Sequence, residues 1–338
     1  MKKALFYQTK GNAVECGLCG HHCLIKTGRR GICGVRENRE GTLYSLVYGK
    51  LSAEQFDPVE KKPLFHFLPG SLTYSIATVG CNFKCLHCQN HSLSQVGQES
   101  GQISHLRRKP EEVVSAAVSS GCRSISYTYS EPTIFFEFAY DCCVAAKDSG
   151  LANIFVSNGF MSGKAAKMLV PVLDAINIDI KSFSQSFYSR VCGGMLERVL
   201  ENVKFFWQQG VWVEVTTLLI PGLNDSDEEI RSIADFLVSI DPNIVWHVSG
   251  FRPTYKMVDR PPTSAARLQS AWQIGLEAGL HYVYVGNIHG GGGEDTCCPD
   301  CRKQIITRSG FSVKNNALIA GKCPFCSAAI AGVWGIGK

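Results

Sequence analysis

From Tyr74 onward the sequence alternates short β-rich runs with amphipathic helical stretches, and that alternation restricts the chain to a parallel α/β architecture. Strand-like runs lie at Tyr74 to Val79, Arg123 to Tyr129, Ala152 to Ser157, Asp174 to Ile180, Val211 to Ile220 and Ile244 to Ser249, each followed by a helical stretch. Helix starts are signalled at Pro110-Glu111-Glu112, at Pro132-Thr133 and at Ser226 to Glu229. There a proline or small polar residue precedes an acidic first turn. Gly121, Gly150, Gly210 and Gly279 stand where helix ends call for a left-handed residue. A seventh short run, His281 to Val285, is placed to close the edge. Six units fall short of the eight of a full TIM barrel. The expected fold is therefore α/β, a partial and laterally open (β/α)6 TIM-like barrel, with its chemistry in the loops after the strands' C-terminal ends.

The rest of the chain lies outside that repeat. Residues 1 to 73 read as an N-terminal cysteine-containing module that ends in Asp57-Pro58-Val59-Glu60-Lys61-Lys62-Pro63, where two prolines favour an extended connection. Residues 74 to 290 form the barrel. Residues 291 to 338 follow Gly290, the first of four glycines read as a flexible joint, and form a second cysteine module. With 338 residues, 45% of them hydrophobic, and a net charge of +5 spread among interspersed acids and bases, the chain has the composition of an ordinary soluble globule. The basic clusters Arg29-Arg30 and Arg107-Arg108-Lys109 are short and read as solvated loops, so a nucleic-acid partner is not expected. The apolar run Ala4 to Tyr7 is too short for a signal-peptide core, and no stretch approaches a membrane span. Sixteen cysteines in such a chain point to a reducing cytoplasm, where clustered thiols are metal ligands.

The first strand runs directly into Cys81-Asn82-Phe83-Lys84-Cys85-Leu86-His87-Cys88. Four thiolates would saturate a 4Fe-4S cluster, and three leave one iron open to a small molecule. The competing reading is a zinc site of three cysteines with a fourth ligand elsewhere. This CxxxCxxC motif resembles that of the radical S-adenosylmethionine (SAM) superfamily. The resemblance implies that SAM binds the open iron through its amino and carboxylate groups, and that one electron breaks its S-C5' bond to give a 5'-deoxyadenosyl radical.

The same resemblance assigns expected SAM contacts on later loops. Tyr129-Ser130-Glu131-Pro132 stands where relatives carry a Gly-Gly-Glu type motif, so Glu131 is expected at the SAM ammonium; the alternative is an acid at a helix start. Ser157-Asn158-Gly159 is similar to the Thr-Asn-Gly of glycyl-radical activating enzymes, with Asn158 reaching the ribose or carboxylate, or shaping a turn. Asp179 and Lys181 are two apart on one strand and share a face; the motif implies that Lys181 offsets the SAM carboxylate, the alternative being a simple ion pair. Leu218 to Asp225 is expected to wall the adenine, and His247 stands where relatives have a SAM-proximal histidine, or is structural.

Asp57 to Phe67, Leu68-Pro69-Gly70-Ser71, Ser75 to Phe83 and Cys88-Gln89-Asn90 together resemble the AmmeMemoRadiSam system radical SAM family, within the broader group that includes pyruvate formate-lyase activating enzyme. His87 departs from that pattern, standing where an aromatic residue precedes the third cysteine, though an imidazole can still stack on adenine. Ile288-His289 departs from it too, replacing a common valine-proline. The resemblance implies partners of the AMMECR and Memo types and a low-potential electron donor such as flavodoxin or ferredoxin.

Two more cysteine sets remain. Cys298-Pro299-Asp300-Cys301 and Cys323-Pro324-Phe325-Cys326 have the paired knuckles of a zinc ribbon, expected to close a structural zinc site, with an auxiliary iron-sulfur cluster as the alternative. Cys16, Cys19, Cys23 and Cys33 offer four further thiolates, with His21 or His22 as possible substitutes; zinc is preferred there over a second cluster. Cys122, Cys142, Cys143 and Cys192 read as core thiols. The function expected is a radical SAM enzyme acting on an unidentified substrate. A glycyl-radical enzyme activase and a non-catalytic zinc-binding scaffold are the alternatives.

Overall fold

The structure, a computed structural model, describes residues 1–95, 105–287 and 293–335. Ile288, His289 and the glycine joint at Gly290 lie outside the described residues. The main sheet has eight strands, numbered here β1 to β8: Ala53–Pro58, Leu72–Ala77, Ser124–Tyr127, Ala152–Ser157, Ala175–Asp179, Trp212–Leu219, Val245–Gly250 and Val283–Gly286. They lie in sequence order, β2 to β8 mutually parallel and β1 antiparallel on β2. Helices follow six of the parallel strands: Pro110–Ser119, Phe136–Asp148, Gly163–Leu169, Leu196–Gln208, Asp227–Ile240 and Ala265–Ala278. The strands read from the sequence coincide with β2 to β8 to within a few residues. The antiparallel β1 was not read from the sequence. It belongs to the segment assigned to the N-terminal module, and the division at 73/74 passes through β2.

Local chemistry explains why these segments take these forms. The parallel strands are buried on both faces, so they read as near-continuous apolar runs. The helix Leu196–Gln208 buries Leu196, Val199, Val203 and Phe206, a stripe at helical spacing. The helix Asp227–Ile240 starts where Ser226 Oγ accepts from Glu229 N–H at 3.2 Å, with three acids in its first turn against the helix dipole.

The N-terminal segment builds two small antiparallel sheets, one of Tyr7–Lys10, Ala13–Cys16 and Leu24–Lys26, the other of Lys2–Lys3, Thr42–Ser45 and Arg36–Arg39. They are fastened to the barrel by a buried ion pair. Arg36 Nη1 and Nη2 donate to the two carboxylate oxygens of Glu137 at 3.1 and 2.9 Å.

After β1 the chain forms a strap through the barrel's interior. Val59, Leu64, Phe67 and Leu68 pack on Ala152, Ile154 and Ala175 near the starts of β4 and β5. Phe65 joins a second core with Val245, Tyr282, Tyr284 and the C-terminal residues Cys298, Ile305, Ile306, Cys323 and Ile330. Leu68 N–H donates to Val333 O, and Val333 N–H to His66 O, both at 2.7 Å. The C-terminal ribbon therefore packs on the strap and on the last two strands of the sheet. Arg308 donates to Phe65 O at 2.8 Å and lies 4.3 Å over the Phe65 ring.

His66 sits at that junction, fully buried. Its Nδ1 is 2.7 Å from Ala331 O, which can only accept, so Nδ1 carries the proton and Nε2 accepts from Tyr284 OH at 2.6 Å. Burial pushes its pKa from the usual 6.5 down to about 4, against the pull of Glu214. The unfolded chain takes up this proton first as pH falls. The stability is therefore complete above about 6.5 and is lost progressively down to about 4, a difference of about 3 kcal/mol. Urea unfolding midpoints followed from pH 7 to 4 are expected to fall more steeply in the wild-type protein than in His66→Gln.

Candidate active site

The loops at the C-terminal ends of β2 to β7 surround one cavity of about 660 Å³. Cys81, Cys85, Cys88, His87, Glu131, Asn158, Asp179, Lys181 and His247 all line it. Of the run Leu218 to Asp225, expected to wall the adenine, only Leu218 lines the cavity.

The cysteine loop is held from two sides. Lys84 N–H donates to Cys192 O at 2.7 Å and Leu86 N–H to Val191 O at 3.0 Å, so the turn after β5 backs the loop. Phe83 is buried against Gly194, where a Cβ would stand 2.2 Å from its ring, and against Phe160, with ring centroids 5.1 Å apart. On the other side, a Cβ at Gly80 would meet Cys33 O at 2.8 Å. Its φ of +100° is one that glycine adopts without strain. The thiols suit an iron-sulfur cluster. Phe83 N–H donates to Cys81 Sγ at 3.3 Å, a backbone donor of the kind that thiolate ligands of a cluster accept. Ser130 Oγ and His87 Nδ1, both on lining residues, have no protein partner. Burial, with the Lys181 charge, pushes His87 down to about 3, so its ring is neutral.

Glu131 caps the short 3-10 turn Pro132–Phe135. Its Oε1 accepts from Thr133 N, Thr133 Oγ1 and Ser157 Oγ at 3.0, 2.5 and 2.8 Å, and Oε2 accepts from Asn158 N at 2.8 Å. Burial raises its pKa against those bonds. Acceptor capacity remains at Oε2. Asn158 Nδ2 donates to Asn82 Oδ1 at 2.7 Å, and Asn158 Oδ1 accepts from Phe160 N–H at 3.0 Å, so this residue ties the β4 loop to the cysteine loop. Lys181 Nζ lies 3.0 Å from Asp179 Oδ2. Burial opposes its charge, but Asp179 and the Cys85 thiol outweigh burial and raise its pKa.

Several residues in or behind the walls of this cavity carried no site assignment in the sequence reading. Glu214, buried in β6, is 2.6 Å from His247 Nε2 through Oε2; it also accepts from Phe65 N–H, His66 N–H and Trp212 Nε1 at 2.9, 2.8 and 3.0 Å. His247 is thus oriented by a carboxylate and stacks on Tyr284, 5.4 Å between centroids. A charged residue between Val213 and Val215 in an apolar strand is the signal that marks Glu214. On the strap, Lys62 Nζ donates to Asp57 Oδ2 at 2.6 Å and stands 4.5 Å from the centre of the Tyr129 ring, whose hydroxyl also donates to Asp57. Tyr129 has φ +61°, a strained value for a bulky residue. Burial brings Lys62 down to about 8 despite Asp57. Cys192, read as a core thiol, lies beside Cys85.

The two remaining cysteine sets lie elsewhere. Cys298, Cys301, Cys323 and Cys326 converge, with Sγ separations of 3.6 Å for Cys298 and Cys326 and 3.7 Å for Cys301 and Cys323. Cys16, Cys19, Cys23 and Cys33 line a separate, small cavity behind the Cys81 loop. His21 Nε2 is 2.7 Å from Asn82 O and is thereby occupied.

Residues 75–237 match the Radical SAM superfamily. An uncharacterized protein of Methanocaldococcus jannaschii is 43% identical over 334 residues, 98% of this chain and 99% of its own. The pyruvate formate-lyase 1-activating enzyme of Escherichia coli K12 is 23% identical over 46% of this chain and 65% of its own. A radical SAM methyltransferase from Sphaerobacter thermophilus shares the fold at a TM-score of 0.51, with 15% identity, over 66% of this chain and 68% of that one. Three thiols on the loop after the first parallel strand, set in a sheet of this order, fall inside the matched stretch: residues 75–237 form a Radical SAM superfamily domain.

Proposed function

We propose that this protein holds a 4Fe-4S cluster on Cys81, Cys85 and Cys88 and binds SAM in the same cavity to act on a substrate by hydrogen abstraction. When bound, the cluster and SAM together supply one-electron cleavage of the S-C5' bond and a 5'-deoxyadenosyl radical. The observation that carries this reading is the convergence of the three thiols with Glu131, Asn158, Lys181 and His247 on one cavity. Lys181, paired with Asp179 yet lining the cavity, offsets the carboxylate of SAM. Glu131 orders the β3 and β4 loops and keeps Oε2 for the SAM ammonium. Asn158 fixes the cysteine loop against β4, and Glu214 holds His247 toward the cavity.

The wall opposite the cluster favours a small molecule over a glycyl-radical protein as substrate. The strap and the ribbon line part of the cavity, Lys61 and Lys62 from the one and Gly310 and Phe311 from the other, which narrows the room for a polypeptide loop. The C-terminal thiols fit zinc, because four sulfurs about 2.3 Å from one ion stand about 3.8 Å apart. A low-potential donor such as flavodoxin or ferredoxin, and partners of the AMMECR and Memo types, complete this reading by resemblance.

Anaerobic incubation of the reconstituted enzyme with SAM and dithionite is expected to yield 5'-deoxyadenosine, and the variant with Cys81, Cys85 and Cys88 all changed to alanine to yield none; turnover in that variant overturns the assignment. Lys181→Ala is expected to weaken SAM binding roughly ten- to a hundredfold, since a charge-assisted contact is worth about 1.5 to 3 kcal/mol. Equilibrium dialysis with labelled SAM measures it. In Gly194→Ala the new Cβ would press on the Phe83 ring and displace the cysteine loop. The rate of 5'-deoxyadenosine formation is expected to drop about a hundredfold with the overall fold retained by circular dichroism.

A further inference from the structure

We propose that Cys16, Cys19, Cys23 and Cys33 hold a second iron-sulfur cluster, with all four irons ligated, directly behind the loop that carries the first. Three observations point there. The first is the common enclosure: all four cysteines line the same small cavity, Cys16 and Cys33 buried and Cys19 and Cys23 half-buried.

The second is spacing. Thiolates around one zinc stand about 3.8 Å apart, and the ribbon's sulfurs meet that distance at 3.6 and 3.7 Å. Among the described residues only the ribbon gathers three or more ligand atoms within 4.8 Å of one another. The N-terminal four do not, and neither do Cys81, Cys85 and Cys88. Thiols that share a cavity yet stand too far apart for one ion match a polynuclear core, whose cysteines bind different irons. This reverses the preference for zinc drawn from the sequence.

The third is unsatisfied donors. Arg36 and Asn82 line this cavity, and Arg36 Nε and Asn82 Nδ2 are buried without a partner. A buried donor left without an acceptor costs roughly 1 to 3 kcal/mol. The sulfides and thiolates of an anionic cluster are acceptors of the kind these atoms lack. Arg36 also brings a positive charge, anchored by Glu137 on its other edge.

Position then gives the cluster its role. Cys33 O touches the place a Cβ on Gly80 would take, and His21 donates to Asn82 O, so this module bears on the residues flanking Cys81 on both sides. Four cysteines leave no open iron, and the chemistry available is one-electron transfer. Held by Cys16, Cys19, Cys23 and Cys33, such a cluster would accept one electron from a low-potential donor and pass it to the cluster on Cys81, Cys85 and Cys88, so returning to its oxidised state.

Anaerobically reconstituted full-length protein is expected to carry about eight irons, about eight sulfides and about one zinc per chain. About four irons with about two zinc ions would overturn the proposal. In the triple Cys81, Cys85 and Cys88 to alanine variant, about four irons are expected to remain, with a reduced-cluster EPR signal that added SAM leaves unchanged. Changing Cys16 and Cys33 to serine in that background is expected to remove them. Loss of all iron in the triple variant alone would overturn the assignment. A wild-type protein whose reduced signal ignores SAM and whose remaining iron depends on Cys16 and Cys33 would defeat the proposed function while leaving this cluster standing.

Discussion

Glu214 is the residue on which the barrel's interior depends. A carboxylate in the middle of a parallel strand is costly to bury, and here four donors from three separate segments satisfy it: the backbone of Phe65 and His66, the Trp212 indole and the His247 ring. Those bonds draw the strap into the barrel and aim His247 at the cavity. They also hold Phe65 where Arg308 of the ribbon can lie against it. Burial opposes its charge, and the His247 contact leads the set of partners that keep it ionised. Removing this one group would leave two backbone N–H groups and an imidazole without acceptors in the same place.

The cysteine loop is shaped from outside in a comparable way. Its own residues make few bonds with each other, and its course is set by the Cys192 and Val191 carbonyls, by the packing of Phe83 on Gly194, and by the N-terminal module against Gly80. The N-terminal segment is thus a structural part of the reactive centre. Its attachment through Arg36 and Glu137 couples the small sheets to the helix after β3.

The sequence carried the parallel strands almost to the residue, because strands buried on both faces are continuous apolar runs and the helices between them have clear starts. The cysteine loop was legible from its spacing together with the family resemblance, and the shared face of Asp179 and Lys181 from their two-residue separation. What escaped the reading depended on partners far along the chain. Strand β1 is half exposed and has no apolar run to announce it. The chemistry of Asp57 and Lys62 exists only because Tyr129 comes up against them from the β3 loop. Zinc and a cluster use the same cysteines at the same spacing in sequence, so the two four-cysteine sets separate only once the distances between sulfurs are known.

The strap also orders events in time. Its bonds to Ala331 and Val333 join residues some 265 positions apart, among the most distant in the molecule, whereas the contacts that shape the cysteine loop reach no farther than Lys256, whose N–H donates to Leu86 O at 3.0 Å. Closing so long a loop is slow compared with nearer pairings. On that ground the cysteine loop is expected to take shape before the wall beside it. During that interval the three thiols would stand more open to solvent than in the finished fold, where the ribbon seats against Phe65.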